Sequence, residues 1–123
     1  MLWIYFFPLF FWMLVGHAVA DYPLQGDFLA KAKNRMAPIP GISWKIALGA
    51  HAMIHAGAVV LITRSYLLGL VELVLHIVID DAKCRGITTF TEDQALHVVC
   101  KVFYAGILIV AAYSLQQPSI AFI

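Results

Sequence analysis

Four apolar stretches run along this chain, and each carries two ionisable residues four positions apart. The pairs are His17 and Asp21, His51 and His55, His76 and Asp80, and Asp93 and His97, and they use all five histidines. Four residues is close to one helical turn, so on a helix each pair stands on a single face. Ionisable groups are expensive among apolar surroundings and are mostly functional when they occur there. A helix that is apolar except for one such face has to turn that face towards partners of the same kind. Four of them predict a small bundle built around one shared polar site.

Composition sharpens this expectation. The chain has 123 residues, enough for one domain over residues 1–123, of which 63% are hydrophobic and only 12% charged. Mean hydropathy is +0.88. A soluble domain is nearer half apolar and a quarter charged, so the excess points to lipid as the solvent and the bilayer as the chain's main partner. Net charge is +1 and no long basic run occurs, which argues against nucleic acid as a partner. Cys84 and Cys100 lie far apart with no Cys-x-x-Cys spacing, so they read as two unrelated thiols rather than a zinc site or disulfide framework.

The expected fold is an all-α membrane protein: four transmembrane helices in an antiparallel bundle, over about residues 2–21, 43–63, 66–82 and 91–115. The first segment ends in Ala18-Val19-Ala20, which resembles a signal-peptide cleavage site. No Lys or Arg precedes its apolar run, and cleavage there would discard His17, so the segment is read as a retained span. Pro38, Pro40 and Gly41 break the chain before the second span, and Ser43 is placed to cap it. Thr63-Arg64-Ser65 is a short connection that implies a helical hairpin. The third span is short for a bilayer, which needs about 20 residues. Thr91-Glu92-Asp93-Gln94 fits a capping box opened by Thr91 and closed by Gln94, and Gln116, Gln117 and Pro118 stop the fourth span. Between the first two spans, residues 27–35 have helix-forming character. Leu24, Phe28, Leu29 and Ala32 fall on one face, with Lys31, Lys33 and Arg35 beside it. This reads either as a short interfacial helix on anionic lipid or as a solvated basic loop. Gly49, Gly57, Gly69 and Gly106 would let helices approach closely.

Positive charge sets the orientation. Lys31, Lys33, Arg35, Lys45, Lys83 and Arg85 fall in or beside the first and third connections, against Arg64 alone in the second. The first and third connections are therefore expected in the cytoplasm, with both termini outside a bacterial inner membrane. In that topology His17 and Asp21 end one descending helix, His76 and Asp80 end another, and Asp93 and His97 begin a rising one. His51 lies eight residues past Ser43, about 12 Å up at about 1.5 Å per residue. All four pairs then share the cytoplasmic half.

Five imidazoles and three carboxylates at one depth suit a divalent transition metal, zinc before manganese or iron. A cation neutralises buried carboxylates that would otherwise repel one another. One tetrahedral zinc needs at most four ligands. Eight candidates, His17, Asp21, His51, His55, His76, Asp80, Asp93 and His97, imply either two ions about 3.5–4 Å apart or residues that orient the ligands of one. Glu72 and Lys101 extend the faces of His76 and His97 by one turn, and are placed either to pair with each other or, for Lys101, to set a charge near an anionic substrate, the pair being the favoured reading. Polar residues also serve as interhelical glue, and structural hydrogen bonding is the bland reading of the whole set.

At these residues the chain resembles a bacterial and phage membrane-protein family catalogued as domain of unknown function 3307. The resembling stretches are His17-Ala-Val-Ala-Asp21-Tyr-Pro-Leu-Gln25, His51-Ala-Met-Ile-His55, His76-Ile-Val-Ile-Asp80 and Asp93-Gln94-Ala-Leu-His97. The resemblance implies a small polytopic membrane protein and brings Gln25 and Gln94 into the candidate site. It brings no activity with it.

Three functions remain open at this point. The first is a metal-dependent membrane hydrolase acting on a lipid or membrane-associated substrate, in which a metal-bound water attacks. The second is a metal-ion or proton carrier built on a His and Asp relay, which with four helices would need a homo-oligomer. The third is a non-catalytic phage or bacterial membrane accessory protein, with the cluster serving only to hold the fold.

Overall fold

The computed structural model describes residues 3–116. Five helices follow in chain order: α1 (Trp3–Asp21), α2 (Gly26–Ala32), α3 (Trp44–Thr63), α4 (Tyr66–Cys84) and α5 (Phe90–Gln116). Among the described residues there is no strand. The four long helices form a ring in which α3 packs on α1 and α4, and α5 closes it by packing on both α1 and α4. The short α2 lies against α3. Leu2, Gln117 and Pro118, which figure in the expected span limits, lie outside the described residues.

Local signals explain the boundaries. Ser43 and Ser65 cap α3 and α4, their hydroxyls accepting from Ile46 N and Leu68 N. Arg64 closes α3 in the left-handed conformation (φ 58°), donating its N–H to Val60 O. The hairpin between α3 and α4 is thus turned within two residues. The capping box of α5 sits two residues earlier than expected. Thr89 Oγ1 accepts from Glu92 N at 3.2 Å, and Glu92 Oε2 accepts from Thr89 N at 2.7 Å. Both Thr89 and Thr91 begin a Thr-x-x-Glu/Gln pattern, and the earlier register frees Gln94 for the interior.

The hairpin's close approach rests on Gly69 of α4. A Cβ there would run into the Val60 side chain and stand 3.2 Å from Ala56 O. Gly49, Gly57 and Gly106, also expected to permit close contact, have open space where a Cβ would stand. Gly16 of α1 does meet a neighbour, Ile62 Cδ1 at 3.0 Å. Gly69→Leu is expected to lower stability by about 2 kcal/mol through overpacking, measured by thermal unfolding in detergent, whereas Gly49→Leu should leave it unchanged. Equal effects at both positions would refute this account of the hairpin.

Polarity is inverted relative to a water-soluble domain. The interior holds His51, His55, Glu72, His76, Asp80, Asp93, His97 and Lys101, each nearly inaccessible to solvent. The outer surface carries Tyr5, Phe7, Phe11, Trp12, Ile46, Leu61, Leu67, Leu70, Val74 and Phe103. Among the described residues three helices, α1, α3 and α5 as far as Leu115, are long and apolar enough to cross a membrane, one fewer than the four expected. The exception is α4, whose 19 residues include Glu72, Asp80, Asp81 and Lys83. Leu67, Leu70, Val74 and Val78 lie on its outward face, while Glu72, His76 and Asp80 point in beside the buried Leu68 and Ile79.

The short helix α2 is smaller than expected and ends at Ala32. Leu24 and Phe28 are exposed, while Ala32 is fully buried against the bundle. Lys33, assigned from sequence to the basic lipid-facing edge, is 3% exposed. The helix stops one residue before it, so Lys33 does not continue the exposed face.

Candidate metal centre

The i, i+4 spacing brings the pairs together as helical geometry requires. On α1, His17 and Asp21 face inward; on α3, His51 and His55; on α4, Glu72, His76 and Asp80; on α5, Asp93, His97 and Lys101. The four helices alternate in direction, so these residues meet at one end of the bundle. The five imidazoles form a single cluster. His55 and His76 stack with ring centroids 3.7 Å apart, and His76 and His97 with centroids 4.3 Å apart. His51 reaches His76 at 4.9 Å, and His17 reaches His55 at 4.9 Å.

Two separate ligand sets emerge from the eight candidates. Donor atoms of Asp21, His51, His55 and His76 all lie within 4.8 Å of one another, and so do those of Asp80, Asp93 and His97. A third grouping, Glu72 with His76 and His97, draws on members of both. In the first set Asp21 is central. Its Oδ1 lies 3.0 Å from His55 Nε2 and 3.4 Å from His51 Nε2. Its Oδ2 accepts from Gln94 Nε2 at 3.0 Å and lies 3.1 Å from His17 Nε2. His17 is therefore placed behind Asp21 rather than within either set.

Gln94 joins the two sets. Its amide nitrogen donates to Asp21 Oδ2 and, at 3.1 Å, to Asp93 Oδ2. Its oxygen lies 3.3 Å from His17 Nε2. Gln25 accepts from Lys33 Nζ at 2.5 Å, and Lys33 also donates to Asp80 Oδ2. Lys83 Nζ bridges Asp80 Oδ1 at 3.1 Å and Asp93 Oδ2 at 3.4 Å. Burial alone would lower the pKa of Lys83, but Asp80 and Asp93 outweigh it and hold the ammonium above its ordinary value.

On the far side of the rings the expected Glu72–Lys101 pair is present. Lys101 Nζ donates to Glu72 Oε1 at 2.6 Å, and Tyr104 OH donates to Oε2 at 2.9 Å. Glu72 Oε1 also lies 3.4 Å from His76 Nδ1. A carboxylate on Nδ1 directs the other ring nitrogen, Nε2, into the cluster, the arrangement that orients metal-ligating histidines. Beyond this layer the bundle is apolar, with Met13, Val59, Leu68 and Ala105 packed around Tyr104.

Sequence reasoning missed Lys33, Lys83 and Tyr104. Two of the three left a signal. Lys83 follows Asp80 by three residues and Tyr104 follows Lys101 by three, so both continue stripes already drawn. Lys33 left none in the helical period, because it lies just past the end of α2.

The donor set fits a transition metal on one further ground. Both nitrogens of His51, Nε2 of His76 and Oδ1 of Asp93 are buried with no hydrogen-bond partner among the described residues. Buried polar atoms are nearly always paired, and each exception calls for an explanation. A polar cleft of about 270 Å3 connects this end of the bundle to the surface, between the turn after α1 and the start of α5.

Residues 9–122 match the family model described as "Protein of unknown function (DUF3307)". The chain belongs to this family. No curated protein and no solved structure matches it.

Proposed function

We propose that this DUF3307 chain is an inner-membrane protein that holds a divalent transition metal, zinc before others, near its cytoplasmic face, and that it hydrolyses a lipid or membrane-associated substrate there. The membrane reading is supported by three spanning-length apolar helices and by a surface more apolar than the interior. With Glu72 and Asp80 turned inward and Asp81 paired to Arg35 at the helix end, α4 complies as the fourth member of the bundle.

The observation that carries the metal reading is the state of His51 and His76. Each is wholly buried, each has an unpartnered nitrogen, and each lies with His55 and Asp21 in a set of four donors. Three imidazoles and one carboxylate are a zinc-type ligand set. Asp80, Asp93 and His97 supply a place for a second ion, where the ammonium of Lys83 now bridges Asp80 and Asp93 and that of Lys33 rests on Asp80. A zinc ion so held supplies Lewis acidity and lowers the pKa of a water towards about 7. The chain's own residues do the rest: Gln94 fixes two carboxylates, Glu72 fixes His76, and the cleft admits substrate.

A carrier needs a polar route on both sides of its site, and Met13, Val59, Leu68 and Ala105 fill the far side with apolar groups. That favours an enzyme. Detergent-purified protein is expected to hydrolyse at least one of a panel of chromogenic phosphate and carboxylate esters. Activity should vanish on chelation and return with zinc. Hydrolysis that ignores chelation, or none across the panel with metal bound, would sink the hydrolase reading.

A further inference from the structure

The cleft at the mouth of the cluster indicates what kind of molecule reaches it. We propose that the cleft takes a phosphate group, the head of a phosphate monoester, and that Lys83 is the residue that grips it. This rests on the metal reading above.

Charge is the first argument. Four carboxylates, Asp21, Glu72, Asp80 and Asp93, face the three ammoniums of Lys33, Lys83 and Lys101 within the cluster. With neutral imidazoles one negative charge is left over, so a single divalent ion makes the centre net positive and a second makes it strongly so. Excess positive charge in a low-dielectric interior calls for an anion. Asp27 also lines the cleft, but it is exposed, and water and salt screen its field.

Free donors are the second argument. An ammonium has three N–H groups. Lys83 gives two to Asp80 and Asp93, and its side chain, 25% exposed, lines the cleft. It is the one lysine of the three that does so. Gln25 also lines the cleft, and its amide nitrogen has donors beyond the oxygen that Lys33 holds. A lysine acting as a point charge is a common binder of phosphate.

The walls are the third argument. Tyr22 and Phe90 flank the opening and are largely exposed, 64% and 60%. An apolar rim beside a polar floor, where Lys83, Gln25 and Gln94 stand next to Asp21, suits an amphipathic ester whose tail stays in lipid. Hydrolysis then balances simply. Water's oxygen forms a new bond to phosphorus, the ester P–O bond breaks, and a proton from that water ends on the leaving oxygen.

The test titrates inorganic phosphate into zinc-loaded protein in detergent by calorimetry. Saturable binding is expected in the wild type. It should be at least tenfold weaker in Lys83→Met and within about threefold of wild type in Lys83→Arg, with zinc content unchanged in both. Lys45→Met, on the surface beside Trp44, should bind as wild type does. Phosphatidic acid in mixed micelles competing better than glycerol 3-phosphate identifies a lipid source for the phosphate, and the reverse identifies a soluble ester; either supports the proposal. Zinc bound without saturable phosphate binding overturns it, as does Lys83→Met binding phosphate as tightly as wild type. If no zinc binds, it is the metal reading of the preceding subsection that fails.

Discussion

Protein purified in detergent should contain zinc in stoichiometric amount, and the His51→Ala/His55→Ala double variant should contain almost none while remaining helical. The expectation follows from burial. His51 and His55 are 0% and 1% exposed and provide half of the donor set completed by Asp21 and His76. Losing two of four ligands leaves a site with too few donors for zinc's tetrahedral preference. The alanines lose buried side-chain volume, so some loss of thermal stability accompanies them. Elemental mass spectrometry reads the metal, and circular dichroism reads the fold. A metal-free wild type, purified without chelator, would return the cluster to a set of hydrogen-bonding side chains. A double variant that keeps its zinc would move the site to Asp80, Asp93 and His97.

The largest single loss of stability is expected at Lys101→Met. This lysine is 1% exposed and its only acidic partner among the described residues, Glu72, is equally buried. Removing one member of a buried ion pair strands the other charge and costs about 3–5 kcal/mol. Replacing both is far milder, because no charge is left behind. Lys101→Met should therefore unfold at much lower temperature than wild type, while Glu72→Gln/Lys101→Met should recover most of the difference. Equal stability of the single and double variants would show that Tyr104 and His76 alone satisfy Glu72.

Much of this arrangement was legible in the sequence because helical period and chemistry coincide. Ionisable pairs four apart, on stretches otherwise apolar, could only be accommodated by facing one another, and the five imidazoles do form one cluster. The helices lie close to their expected ranges because serines, a left-handed Arg64 and a Thr-x-x-Glu box mark them locally. What was not legible depended on the path of the chain between helices. Lys33 was read by its neighbours Lys31 and Arg35 as part of an exposed basic edge. The turn after α2 instead carries it inward to Asp80. The capping register was missed for a different reason. Thr89 and Thr91 compete for the same role, and only the interior's demand for Gln94 decides between them. His17 shows the same limit in the site itself. Its spacing matches the other histidines and its ring joins their cluster, 4.9 Å from His55, yet it stands outside the groups of converging donor atoms.

The Glu72–Lys101 pair also has a meaning in time. A ribosome makes Glu72 before Lys101, which follows it by 29 positions. Until α5 has been synthesised and has joined the ring, the acid on α4 has neither its ammonium nor the hydroxyl of Tyr104. A nascent chain ending before that point leaves this acid with only His76 of its own helix beside it. The acid on α4 is fully partnered only once the chain has been made as far as Tyr104.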